Sequence, residues 1–183
     1  MWYNYFLVLN SMQFDFTDIL FENLQYGEIS LDEVLFHIKE FMEEDPKAEY
    51  SMVIGTDSHE KHDDDKKTKK INLVTAVLVH RRGFGGRYFW RRNYASNIHT
   101  LREKIYAETM TSINFASLFV PILKKTLNGT SSKYYLEIHI DVGEHGDTRE
   151  MIKEVVGMVT GNGYVAKTKP DAYGASYVAD KHT

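Results

Sequence analysis

The sequence contains no cysteine, so a disulfide framework, a thiolate metal site, an iron–sulfur cluster and a cysteine nucleophile are all excluded. Any metal bound here must use oxygen or imidazole ligands. A long apolar run is also missing. The opening segment Met1–Asn10 is apolar but too short to cross a bilayer core of about 30 Å, and it has neither a basic n-region nor a small-residue cleavage site. It reads as an extra strand or docking arm of a cytoplasmic protein without a membrane partner. No Gly-x-Ser-x-Gly elbow surrounds Ser58, which argues against a serine nucleophile. Gly83, Gly85 and Gly86 lack the spacing of a dinucleotide-binding or Walker loop. There is no internal repeat, and no low-complexity tract beyond the Asp/Lys-dense loop Glu60–Lys70.

What is present suffices for one folded unit. A chain of 183 residues with 43% hydrophobic residues, including 12 Tyr and 10 Phe, has enough apolar surface to offset the entropy cost of ordering it. The net charge of −4 conceals an asymmetry: Met12–Glu49 holds eleven Asp/Glu against two Lys, whereas Lys61–Lys104 holds twelve Lys/Arg against four Asp/Glu. A basic stretch of this kind suits an anionic partner, because Lys and Arg neutralise phosphates of any sequence.

Ser30 and Glu33 form a capping box ahead of an apolar stripe (Leu31, Val34, Leu35, Ile38, Phe41), which predicts a helix over Leu31–Glu44, ended by Asp45-Pro46. Tyr50–Asp57 reads as a buried strand delivering polar groups at its end. Ile71–Arg81 and Arg87–Asn93 read as a hairpin around the glycine turn. Thr100–Glu103 caps a long helix to about Lys125, and Lys133–Val142 alternates as a strand. Asp147–Glu150 caps a helix reaching Gly161, Tyr164–Lys169 returns as a strand, and Pro170 opens a last helix. This order predicts an α/β fold: a mixed sheet with helices on both faces, formed by residues 50–183, with residues 1–49 as a helical extension packed on it.

Asp57 and Asp141 close two of the predicted strands. If those strands are parallel neighbours, both carboxylates emerge at one sheet edge, and a site that keeps both ionised needs a cation. Oxygen ligands select hard ions such as Mg²⁺ or Mn²⁺. Glu108 shares a helix face with Leu101, Ile105, Ser112 and Ala116, where a carboxylate is costly unless it is paired or ligates a metal. Glu103 is the alternative, although its place in the capping box already accounts for it. On the last helix, Asp171 is explained by the helix dipole beside Pro170, while Asp180 has no such local role. His59 lies two residues after Asp57 and His139 two before Asp141, so a mixed His/Asp site is open as well. Arg81, Arg82, Arg87, Arg91 and Arg92 alternate along the hairpin with Phe84, Tyr88, Phe89, Trp90 and Tyr94, a pattern that tracks phosphates and stacks bases.

Gly55-Thr56-Asp57-Ser58-His59, His139-Ile140-Asp141-Val142-Gly143, the run Val155–Gly163, and Lys169-Pro170-Asp171 with Val178-Ala179-Asp180-Lys181 closely resemble the YkuK-type family of ribonuclease H-like proteins. The resemblance covers about residues 30–183. It implies a five-stranded sheet of order 3-2-1-4-5 with an acid on the first strand, on the helix after the hairpin, at the end of the fourth strand and on the final helix. By position these are Asp57, Glu108, Asp141 and Asp180, with Glu103 and Asp171 as rivals for the second and fourth. The chemistry it implies is two-metal phosphodiester hydrolysis, with His182 or His59 assisting proton transfer. The expectation is therefore a metal-dependent nuclease acting on RNA or structured DNA. The alternatives are a non-catalytic nucleic-acid-binding module of the same fold, or a His/Asp metallohydrolase of small phosphoesters.

Overall fold

Two strands precede the first helix. Leu20–Asn23 (β1) and Gly27–Ser30 (β2) form a tight antiparallel hairpin, and Glu22 pairs with Trp90 of β5 (Gly85–Ser96). They have four residues each, too short for alternation to stand out in the sequence, yet Phe21 and Ile29 are buried in the core. The computed structural model describes residues 19–61, 70–144, 148–172, 178 and 181–182, with 60 and 61 as backbone only. Met1–Asn10, most of the Asp/Lys loop, Asp147 and Asp180 lie outside the described residues.

The remaining elements are α1 (Leu31–Glu43), β3 (Glu49–Lys61), β4 (Lys70–Arg81), α2 (Leu101–Thr126), β6 (Lys133–His139), α3 (Ile152–Gly161) and β7 (Val165–Lys167). They build a mixed α/β sheet of seven strands in the order β2-β1-β5-β4-β3-β6-β7. This corrects the expected five strands in order 3-2-1-4-5. The β1–β2 hairpin adds two strands outside β5, covering what would otherwise be an open edge with unpaired backbone groups. The extension is accordingly a hairpin followed by a helix, not a helix alone.

The first two helices are set by a capping box and an apolar stripe. In α1, Ser30 N donates to Glu33 Oε2 at 2.7 Å and Glu33 N to Ser30 Oγ at 3.3 Å, while Val34, Ile38 and Met42 are fully buried. The α1 C-terminus is satisfied by the buried Tyr50, whose hydroxyl lies 3.2 Å from the carbonyls of Phe41, Met42 and Asp45. The main core lies between one sheet face and α1, α2 and α3; a smaller cluster of Val74, Ala76, Trp90 and Val178 lies on the other face.

Three boundaries depart from the sequence reading in ways that shape the site. Asp57 lies inside β3, which continues to Lys61, because β4 pairs with it along its whole length. β6 ends at His139, short of Val142. Pro170 sits in a turn rather than opening a helix: the amides of Asp171 and Ala172 both donate to Thr168 O, at 2.9 and 3.0 Å.

Candidate active site

The parallel pairing of β3 and β6 runs from Glu49 opposite Lys133 to Gly55 opposite His139. Two residues past that last pair come Asp57 and Asp141, one on a strand that continues and one on a chain that has just left the sheet. The ends of parallel strands are where α/β sheets open a crevice. Here a pocket of about 240 Å³ is lined by Asp57, Asp141 and Glu108, with Lys104, Lys169 and Thr148 around them.

Glu108 arrives from α2. Ile105, Glu108 and Ser112 share the helix face that packs on β3, and all three are buried. Successive β3 side chains alternate, so Thr56 and Ser58 meet this helix: Ser58 Oγ donates to Glu108 Oε1 at 2.7 Å, and Ser112 Oγ to Thr56 Oγ1 at 2.9 Å. Only 6% of Glu108 is exposed. Burial pushes its carboxyl up to about 8; the Ser58 bond and Lys104, 3.8 Å away, pull it back down, and the charges of Asp57 and Asp141 raise it again. Near neutral pH this acid is therefore largely protonated, in contrast to ordinary surface carboxylates. Asp141 is half-buried and pairs with Lys169 Nζ at 2.5 Å.

Glu103 lies elsewhere. Its Oε2 accepts from His99 N at 2.8 Å and Thr100 N at 3.0 Å, while Thr100 Oγ1 accepts from Glu103 N at 3.1 Å, which completes the capping box. These backbone bonds hold its carboxyl below the usual range. Glu103→Ala is expected to cost ~0.5–2 kcal/mol in a denaturant melt, without changing Mn²⁺ binding.

A family model described as ribonuclease H-like matches residues 33–183. The chain belongs to the ribonuclease H-like family. Within it the chain is of YkuK type: it is 33% identical over 173 residues to the uncharacterized protein YkuK of Bacillus subtilis (strain 168), covering 90% of this chain and 96% of that protein. No solved structure matches it. Membership points to nuclease-type or nucleic-acid-related activity, and the three acids that line the pocket are three of the four that the sequence resemblance implied, Asp180 being outside the described residues.

The other residues that the sequence reading singled out are dispersed. His139 is buried on β6 with Nε2 3.3 Å from Glu137 Oε2, and burial pulls its pKa down. It stands opposite Gly55, in register with a residue that has no side chain. His59 is exposed and paired with Asn72 across the ladder, and Asp171 is exposed in the turn after β7. His182 stacks on Trp90 at 3.6 Å between ring centroids, and its carbonyl accepts from Arg92. None of these lines the pocket.

Four of the five arginines of the hairpin are engaged within the chain. Arg87 donates to Glu40 Oε2 and Glu44 Oε1, both at 2.8 Å, and Arg92 pairs with Glu22. Arg81 lies over the rings of Phe41 and Phe84, at 5.5 and 4.7 Å, and Arg91, partly buried, donates to Asn93 Oδ1 at 2.7 Å. Arg82 is exposed. Part of the charge asymmetry is thus resolved internally, since the acidic segment folds back on the basic hairpin. The sequence reading missed Lys104 and Lys169 as pocket residues. The spacing of Lys104, one helical turn before Glu108, carried the signal for the first. Lys169 stands in a quoted motif, but its neighbour Asp171 drew the assignment.

Proposed function

We propose that the chain is a divalent-metal-dependent nuclease that hydrolyses phosphodiester bonds in RNA or structured DNA by a two-metal carboxylate mechanism. The observation that carries this is the meeting of Asp57, Glu108 and Asp141 on one pocket, from three separate elements. The donor set fits a hard cation, since every acid there offers oxygen. Among the described residues no three His, Asp or Glu lie close enough to enclose an ion by themselves. Mg²⁺ is commonly held by one or two carboxylates, with water and substrate phosphate completing the shell, so the acids lining the pocket offer enough protein ligands for it or for Mn²⁺.

Asp57 and Asp141 would hold the ions, with Glu108 joining as it loses its proton. The ions, when bound, supply activation of water and stabilisation of charge on the phosphoryl group. The protein's own part is positional and electrostatic. Ser58 fixes the Glu108 carboxyl, and the buried face of α2 keeps it aimed at the pocket. With a pKa near neutrality, Glu108 can hold or release a proton at working pH.

A non-catalytic nucleic-acid-binding module is the second reading, favoured by the same lack of a close three-ligand group among the described residues. Thermal melting against Mn²⁺ separates the two. At a hundredfold excess over Kd the nuclease reading expects about 2.7 kcal/mol of stabilisation. A melting temperature that stays flat through millimolar Mn²⁺ supports the bare module.

A further inference from the structure

Lys169 is held at the pocket by its backbone. Its amide donates to Val142 O at 2.8 Å, tying the turn after β7 to the segment that leaves β6. Its stem lies over Gly143: a Cβ placed at 143 would come within 3.3 Å of Lys169 Cβ, tighter than most side-chain contacts, so the bare Cα gives the lysine its room. From there Nζ reaches Asp141 Oδ1 at 2.5 Å, while 57% of the lysine side chain stays exposed. An acid expected to hold a cation already has one, supplied by the chain.

We propose that Lys169 is a resident counter-ion that competes with divalent ions for Asp141 and thereby sets the affinity of the site for them. This rests on the metal-dependent reading above. An ammonium 2.5 Å from a carboxylate oxygen occupies the side from which a divalent ion would approach, and the two positive charges repel across a half-buried site. The lysine can swing aside at small cost, because most of its side chain is solvated and an exposed pair contributes little.

Isothermal titration of Mn²⁺ into the full chain tests the proposal, comparing wild type with Lys169→Met and Lys169→Arg. Methionine keeps an apolar stem over Gly143 and removes the charge; arginine keeps the charge. The methionine variant is expected to bind Mn²⁺ roughly two- to fivefold tighter, with the arginine variant at wild-type affinity. Lys169→Gln, which also removes the charge, should shift affinity in the same direction as methionine, so the comparison survives if the methionine variant fails to fold. Unchanged or weaker binding in folded Lys169→Met, beside clear binding by wild type, would overturn this proposal alone. Absence of Mn²⁺ binding in wild type and variants alike would overturn it together with the metal-dependent reading.

Discussion

Asp57→Asn is expected to abolish turnover while leaving the metal-free protein as stable as wild type or more so. The change preserves shape and removes one negative charge from a pocket that holds two other acids. Burial is the main cause of the raised pKa of Glu108, and the charge of Asp57 adds to it in the same direction, as repulsion between neighbouring acids does. Removing that charge relieves that repulsion, so the thermal midpoint without metal should hold or rise. Cleavage should fall by roughly 10²–10³-fold or more, the scale set by loss of one electrostatic contact in a transition state. Asp141→Asn should lose activity similarly but melt slightly earlier, because it also gives up the Lys169 pair, worth ~0.2–1 kcal/mol at this exposure. A purely structural role predicts the reverse for Asp57: a loss of stability, with activity following the folded fraction.

The second large effect concerns Glu108 and pH. Its folded pKa, pushed up to about 8, lies above the ordinary 4.5. Between those values the folded state keeps a proton that the unfolded chain has released. Stability from this group is therefore present below the lower value and is lost as pH rises through the window, at up to about 1.4 kcal/mol per pH unit. Glu108→Gln, a neutral mimic of the protonated acid, should remove that decline, so the variant melts higher than wild type at pH 8. Metal binding should run the other way, since a ligating carboxylate must be deprotonated: Mn²⁺ affinity of wild type rises toward pH 8 with release of a proton. Denaturant melts from pH 5 to 9 check the first part, and titration calorimetry in buffers of differing ionisation enthalpy checks the second. Parallel stability curves for the two proteins would remove the buried acid from the account.

Much of the candidate site was legible in the sequence because its acids carry local signals. Glu108 stood out as a carboxylate on an apolar helix face, and the burial responsible for that signal also raises its pKa. Glu103 could be set apart because a capping box is a local motif with its own hydrogen bonds. The alternation of Lys133–His139 put Glu137 and His139 on one face with Asp141 beyond them, though where pairing stops depends on β3 and β7, which a local pattern does not contain.

Long-range pairing accounts for what was missed. The β1–β2 hairpin has too few residues to show a period, and its place beside β5 depends on contacts about 70 residues apart, such as Glu22 with Trp90. The acidic partners of the basic hairpin, Glu22, Glu40 and Glu44, escaped the sequence reading because they lie in a distant segment. Lys169 escaped for a related reason: its approach to Asp141 depends on a bare Cα at Gly143 and on a backbone bond to Val142, neither visible before the chain is folded.

The central claim is that Asp57, Glu108 and Asp141 form a metal-dependent hydrolytic centre. It is tested most directly by following cleavage of an end-labelled structured RNA by the purified full chain at pH 8, with Mn²⁺, with chelator, and with Asp57→Asn in Mn²⁺. The account predicts cleavage products in the first reaction and none above background in the other two. Cleavage that persists in chelator, or that Asp57→Asn supports at the wild-type rate, would contradict it.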